Sequence, residues 1–318
     1  MLILSWNVNR RRPGDHIAKI KSVRPDIVTL QEVKRNLADD WADHLKNIGL
    51  VHHYRSGNKA LALSHQCLIA SRWNLTPNDI CRPREPPYPE SLDRATVSVP
   101  GEGDIDLFTA HIPNGSGNGW RKIDTFQVLA AELRRANDSP RILTGDFNEP
   151  KRFEESGQIV TFEGGAHEDG RTNTGHWCDQ FGVERPLKEW SEGVLSVLDG
   201  ESQHGLRDAY RDLHGFEKPI PVTYGTRTNP RCFDHTFVSR HFDVLECDYH
   251  HEWREQELSD HSPMWARLRL RTDQPDWKKR LALALQKMLV STLNWFAPMR
   301  LCRRFACSLK RAFARLEE

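Results

Sequence analysis

Residues 144–150 read Thr-Gly-Asp-Phe-Asn-Glu-Pro and follow the apolar pair Ile142-Leu143, so a short strand is expected to run into a carboxylate and an amide two residues apart. Side chains alternate along a strand, which puts Asp146 and Asn148 on one face. Gly145 lets another backbone approach closely, and Pro150 stops the strand. Two polar groups converging in this way would face one substrate and suit a metal or a phosphate. An ordinary strand-to-turn exit, in which Asp and Asn satisfy their own backbone, has the same local pattern.

Four other stretches repeat this build and shift the balance toward a site: Leu2–Asn7, Asp26–Glu32, Asp106–His111 and Leu258–Pro263. Each is a short apolar run ending in a polar group, and those groups are Asn7, Glu32, His111 and the pair Asp260-His261. Glu32, expected at the end of a strand over Ile27–Leu30, is the hard oxygen donor that Mg²⁺ takes. Its bland alternative is a salt bridge to Lys34 or Arg35. His111 borders a glycine-rich stretch through Gly119-Trp120, which favours a site role over that of a satisfied core imidazole.

The elements that must position these residues follow from periodicity and breakers. Asp15 caps a helix through Val23, Arg24-Pro25-Asp26 breaks it, and Asn36–Ile48 is amphipathic with Leu37, Trp41, Leu45 and Ile48 on one face. A strand pair is expected within Leu61–Ser71. Residues 82–90 hold four prolines and read as an extended surface loop outside any central sheet. Arg94–Val99 and Ile105–Ala110 form a hairpin, and a helix follows from Arg121 to Ala136. Lys151–His204 lacks clear periodicity; its Trp177 and Trp190 can stack on bases, but packing that segment onto the body is the stronger expectation. Alternating strands and helices indicate an α/β chain, without selecting how its sheets are arranged.

With 318 residues and 38% hydrophobic content, one large domain is expected. The formal charge of +1 lacks the overall basic bias of many nucleic-acid binders. Residues 275–318 hold ten Lys/Arg and three Asp/Glu, a balance of +7, which leaves −6 for the rest. We therefore expect a catalytic domain over 1–272 and a basic amphipathic helical extension over 273–318. The extension is interrupted at Gln286, Lys287 and Asn294 and ended by Pro298, a poor membrane span. It suits contact with an anionic membrane or another polyanion, or docking on the body. Seven cysteines with no CxxC pair give neither a disulfide framework nor a zinc site. That usage, and an N-terminal apolar run too short for a signal peptide, point to a cytoplasmic protein. No protein partner is identifiable.

Taken in order, the SWNVN, Gln31-Glu32, His111-Ile112-Pro113-Asn114, TGDFNEP and SDHSPMWA segments resemble the exonuclease-endonuclease-phosphatase superfamily. These metal-dependent phosphodiesterases include AP endonucleases, DNase I-like nucleases and neutral sphingomyelinases. The resemblance implies an α/β (α+β) four-layer α/β/β/α sandwich, with two mixed sheets face to face and helices outside. Only from this resemblance do Gly205–Arg211 and Arg231–Ser239 take their expected form, a short helix and a strand. It implies Mg²⁺, with Mn²⁺ as a substitute, held by Glu32 with Asn7 and Asp260 beside it. Asp146 would orient or deprotonate the attacking water, and Asn148 would hold that water or the phosphate. His261, oriented by Asp234, would contact the phosphate or act as the base, and His111 would add a donor. AP endonucleases have Tyr where His111 stands, whereas DNase I-like nucleases and sphingomyelinases have His. Asn9 stands where some relatives have Asp, so a second metal there is not implied. The implied activity is hydrolysis of nucleic-acid phosphodiester bonds, endonucleolytic or exonucleolytic. The alternative is a phosphatase or a lipid phosphodiesterase, sphingomyelinase- or inositol-phosphatase-like. A non-catalytic binding protein fits poorly with an intact set of acid, amide and histidine.

Overall fold

Alternation along the strands sorts the side chains into layers. In the strand β1 (Leu2–Asn7), Leu4 and Trp6 turn to one core and Ile3 to another. A computed structural model describes residues 1–55, 63–78, 80, 85–135, 139–162, 177–179, 181–216, 221–226 and 228–271. Beside β1 lie β2 (Ile27–Lys34), β3 (His52–Tyr54) and β4 (His65–Ser71), with the strands Phe242–Tyr249 and Met264–Leu270 on its other side. A second six-stranded sheet contains β5 (Asn74–Asn78), β6 (Leu92–Val99), β7 (Gly103–His111), β8 (Arg141–Asp146), Asp234–Ser239 and Leu206–Asp208. Both sheets are mixed: β1 pairs parallel with β2, and β7 with β8.

Three cores fill the spaces between the layers. Outside the first sheet, helices α1 (Gly14–Val23) and α2 (Ala38–Asn47) bury Ile20, Trp41 and Leu45 against Leu4, Trp6, Val28 and Leu30. Outside the second, α3 (Gly115–Asn118) precedes α4 (Arg121–Arg134), and α4 packs with α5 (Leu187–Leu198) over Phe108, Leu143 and Phe237. Ile3, Ile27, Ile69, Leu107, Ile142 and Val238 form the core between the sheets. The result is the expected four-layer sandwich.

The layer between the sheets changes character along its length. Successive same-face residues run Ile3, Ser5, Asn7 in β1 and Ile27, Thr29, Gln31 in β2. In the other sheet they run Leu107, Thr109, His111 in β7 and Ile142, Thr144, Asp146 in β8, and the antiparallel neighbour gives Val238, Thr236, Asp234. Each strand thus passes from an aliphatic residue through a hydroxyl or amide group to a functional group. The hydroxyls bond across the gap, Thr29 Oγ1 to Thr144 Oγ1 at 2.8 Å, and Gln31 Nε2 donates to Thr109 Oγ1 at 3.0 Å. These pairs let the interior carry polarity to one rim, although Gln31 Oε1 is buried there without a hydrogen-bond partner.

Several expectations need correction. Leu63–Ser71 contributes one strand, not a pair; Leu61 and Ala62 lie outside the described residues. The proline-rich stretch is not a surface loop throughout. Tyr88, Glu90 and Ser91 are buried around a short 3-10 turn, where the Glu90 carboxylate accepts from the Leu63 amide. Gly205–Arg211 opens as a strand, Leu206–Asp208, before its helix Ala209–His214. Within Lys151–His204, α5 carries Trp190 into the core against Trp120. The extension from residue 273 onward lies outside the described residues. No helix among the described residues is long and apolar enough to cross a membrane.

One buried histidine gives the fold a pH dependence. His204 ends the one-turn helix Glu201–His204, with Nε2 3.0 Å from the Val197 carbonyl and Nδ1 accepting from the Leu206 amide at 3.1 Å. The neutral ring satisfies both partners. Burial, opposed by the Val197 hydrogen bond and reinforced by Arg141 and Arg134, lowers its pKa from 6.5 to about 4. The unfolded chain therefore takes up this proton first. Stability is fully present above 6.5 and is lost as pH falls from 6.5 toward about 4. Between neutral pH and a pH just above that lower value, wild type is expected to lose about 2–3 kcal/mol more than His204→Gln in urea denaturation. Equal losses in the two proteins would remove His204 as the cause.

Candidate active site

The parallel pairs of the two sheets end at the same rim. Asn7 lies opposite Gln31 in one register and His111 opposite Asp146 in the other. The Asn7 amide joins the sheets there, its Nδ2 donating to Asp146 Oδ2 at 2.9 Å and to Glu32 Oε1 at 3.4 Å. His111 Nε2 lies 3.5 Å from Glu32 Oε1 and 3.8 Å from Asp146 Oδ2. His261 Nε2 is 3.6 Å from Asp146 Oδ2, and its Nδ1 is 2.9 Å from Asp234 Oδ2. Seven of the eight predicted residues, Asn7, Glu32, His111, Asp146, Asn148, Asp234 and His261, are thereby linked directly. Asp260 stands exposed at the edge, beside His261, where Ser259 Oγ donates to it at 3.4 Å and to the Asn7 carbonyl at 2.6 Å.

Two of these positions depend on backbone irregularities. The pairing of β2 with β4 shifts between Leu30 and Val33, and Glu32 sits inside this bulge with φ +54°. An extra residue in one strand re-aims its side chains, which is how consecutive Gln31 and Glu32 both serve the rim. The salt bridge foreseen for Glu32 exists but with a different partner, Arg10 Nε, 2.8 Å from Oε2. Asn148, in turn, is not on the same strand face as Asp146. The strand ends at Asp146, before Pro150, and Asn148 has φ +50°. The two converge because the Asn148 backbone amide donates to Asp146 Oδ1 at 2.9 Å and its side-chain amide donates to the Ile112 carbonyl at 2.9 Å. Asn and Asp tolerate the left-handed conformation this turn needs.

Charge is distributed unevenly over the cluster. Burial works against the His261 cation, but Asp234, Asp146 and then Asp260 outweigh it and lift the imidazole pKa to about 10. At neutral pH the ring is an imidazolium with Nδ1 held by Asp234. Burial, with Asp234 adding to it, raises the Asp146 carboxyl despite His261 and His111. Burial would also raise Glu32, yet His111, His65, Arg10 and the Asn7 amide hold it below its ordinary value. Glu32 is therefore the firmer anion.

Among the described residues, Asp146, Asp234 and His261 bring possible ligand atoms within 4.8 Å of one another. Within it His261 Nδ1 is engaged with Asp234 Oδ2 at 2.9 Å, which leaves the Asp146 carboxylate and the Nε2 side of the ring facing the rim. Glu32 and Asp260 are further carboxylates at this rim, the hard ligands that Mg²⁺ and Mn²⁺ prefer, and could hold such a cation. Asn7 is oriented with Oδ1 accepting from the Asn9 amide at 2.9 Å, so its amide nitrogen faces the carboxylates and it braces them.

The supporting residues escaped sequence reasoning. Lys122 on α4 is fully buried, with Nζ 2.9 Å from Glu149 Oε1 and donating to the Asn148 carbonyl at 2.7 Å. Trp190 Nε1 donates to the same Glu149 oxygen at 3.3 Å. This ion pair clamps the Asp146–Pro150 turn from behind, and a lone Lys or Glu in a polar stretch carries no signal of burial. His65 is also buried, its ring 5.2 Å from that of His111 and neither nitrogen hydrogen-bonded. Burial and then His111 lower its pKa to about 4, against the pull of Glu32. His235, which follows Asp234, faces the other way and meets Asp208 at 2.9 Å.

The profile of the Endonuclease/Exonuclease/phosphatase family matches residues 4–261. Among solved structures, an AP endonuclease from Archaeoglobus fulgidus is 21% identical with a TM-score of 0.61, over 85% of this chain and all of that one (100%). The 3′ phosphatase NExo from Neisseria, bound to a product DNA hairpin, is 21% identical with a TM-score of 0.58, over 85% and 99%. An endonuclease/exonuclease/phosphatase from Beutenbergia cavernae is 18% identical with a TM-score of 0.54, over 85% and 71%. No curated protein sequence matches this chain.

Proposed function

Given that the chain belongs to the endonuclease/exonuclease/phosphatase family, a family of hydrolases of phosphate esters, we propose that it is a Mg²⁺-dependent phosphodiesterase acting on nucleic acid. The observation that carries this reading is the continuous set Glu32, Asn7, Asp146, His261 and Asp234, in which a firm anion, a weaker carboxylate and an oriented imidazolium share one rim. Glu32 and Asp260 would hold the cation, with Asn7 bracing Glu32. Bound there, it neutralises charge developing on the phosphate.

The residues divide the remaining work by protonation state. Asp146 has a raised pKa and an oxygen directed at His261 and Asn7, which suits it to orient the attacking water and receive its proton. His261 already holds a proton and donates from Nε2 to a non-bridging phosphate oxygen. Asp234 keeps the ring in that orientation. Asn148 steadies Asp146 through its backbone amide, and His111 adds a donor between Glu32 and Asp146. Mn²⁺ should replace Mg²⁺, since both take oxygen donors.

Two of the similar folds are an AP endonuclease and a 3′ phosphatase bound to a product DNA hairpin, which supports nucleic acid as the substrate. His111 supports the second reading, a phosphatase or lipid phosphodiesterase, only against an AP endonuclease, since the resemblance gives histidine there to sphingomyelinases and to DNase I-like nucleases alike. The test is a panel of supercoiled plasmid, an abasic oligonucleotide, sphingomyelin and a phosphoinositide, each with Mg²⁺ and with EDTA. Metal-dependent cleavage of a nucleic acid is expected; turnover confined to a lipid or inositol phosphate would replace the first reading with the second. We further propose that 1–272 is the catalytic unit and that the basic extension contacts polyanions in the cytoplasm.

A further inference from the structure

Beside the Asp260 end of the site lies a cavity of about 1190 Å³, whose wall includes Asn9, Arg11, Tyr224, Arg254 and Asp260. Two guanidinium groups therefore share one concavity with a candidate metal ligand. Among the described residues, neither Arg11 nor Arg254 forms an ion pair, whereas the neighbouring Arg10 is committed to Glu32. Nη1 of Arg254 is buried and has no hydrogen-bond partner. A cationic donor without an acceptor is costly, and Arg254 also lines the cavity, where an anion can meet its guanidinium. The planar fork of Arg matches two phosphate oxygens at once.

Both arginines rise from firmly held backbone. Trp253, next to Arg254, packs its ring 5.1 Å from Trp6 in β1, and Trp41 Nε1 donates to the Arg11 carbonyl at 3.2 Å. The cavity also begins at the reaction centre. The Tyr224 ring lies 4.7 Å from His261 and 5.4 Å from Phe233, so a group beside the scissile phosphate meets an aromatic wall on its way to the arginines. Glu255 and Glu257 line the cavity as well. With Asp260 they disfavour a free anion, but not one tethered to a phosphate already bound, because tethering raises its local concentration.

We propose that this cavity is a subsite for a second phosphate of a polynucleotide, the one next to the bond being cut, held by Arg11 and Arg254 with the intervening nucleotide against Tyr224. This rests on the nucleic-acid phosphodiesterase reading above. The test compares kcat/KM for a dinucleoside monophosphate and a trinucleoside diphosphate with Mg²⁺, in wild type, Arg11→Gln, Arg254→Gln and the double variant. In wild type the second phosphate should raise kcat/KM by about a hundredfold, mainly through KM. Each single variant should lose about tenfold of that ratio, and the double variant nearly all of it. A neutral methylphosphonate in place of the flanking phosphate should abolish the gain in wild type, a result independent of how any variant folds. Cleavage of both substrates with an undiminished ratio in the double variant, or with the methylphosphonate, overturns the subsite alone. Failure of wild type to cut either substrate overturns the subsite, and failure to cut the plasmid and the abasic oligonucleotide as well overturns the nucleic-acid reading together with it.

Discussion

Replacing His261 with Ala is expected to lower kcat for phosphodiester hydrolysis by about two to four orders of magnitude, the range lost with a proton-transfer or oxyanion-stabilising group. The ring is buried, is held by Asp234 at 2.9 Å and turns Nε2 toward Asp146 at 3.6 Å. Its removal deletes the donor to the phosphate and leaves two carboxylates facing each other. Asp234→Asn should cost less, because the ring stays but loses the anion that fixes its tautomer and holds its proton. Stopped or steady-state assays, read beside thermal unfolding, separate rate from fold. Both variants should keep a cooperative transition, with a modest drop in melting temperature for His261→Ala. If both fold and turn over substrate like wild type, His261 is not part of the machinery.

Gly145→Ala is expected to have the largest effect on stability of any single methyl addition near the site. A Cβ at Gly145 would fall 1.9 Å from the Ala110 carbonyl oxygen and 2.8 Å from its carbon, and the residue has φ +147°. The obstruction is the backbone of β7, paired with β8 at this register, so no flexible side chain can move aside. Either the parallel pair opens or the strand ends shift, and both displace Asp146 and His111. The expected loss is about 4 kcal/mol or more, the size reserved for such defects, with low soluble yield. Gly14→Ala is the control, since nothing lies within 4 Å of its added methyl; on a helix it should change stability by less than about 1 kcal/mol. Urea denaturation of both variants gives the comparison, and similar midpoints would show that the strands can accommodate the methyl.

Gly145 also marks how far the sequence could be read. Its close backbone approach was legible because a glycine between Thr144 and Asp146, in an otherwise apolar strand, has few other uses. The strand-end groups Asn7, His111 and Asp146 were legible for a related reason: each lies at even spacing from an apolar residue of its strand, and alternation projects them to one side, whereas Asp234, which opens its strand, was reached through resemblance. The bulge that swings Glu32 inward was not, since it arises from the register of β2 against β4, a non-local pairing. The same holds for Asn148, whose position is set by a left-handed turn and the Ile112 carbonyl and not by strand period. Lys122 and Glu149 illustrate the hardest case. Each reads as a solvated charge, and only the packing of α4 and α5 behind the site makes them a buried pair. The face-to-face arrangement of two sheets was reached through resemblance and is carried by contacts between strands far apart in sequence, such as Thr29 with Thr144.

The central claim is that a divalent cation held by Glu32 and Asp260 and the proton groups Asp146 and His261 act together on a phosphodiester. Its most direct test is hydrolysis of one labelled oligonucleotide by protein stripped with EDTA, then with Mg²⁺ restored, in wild type and Glu32→Gln. Wild type should lose turnover on chelation and regain it with Mg²⁺ or Mn²⁺, while Glu32→Gln should need far more metal or fail to recover. Full turnover after exhaustive chelation, or metal activation of Glu32→Gln at the wild-type concentration, would contradict the account.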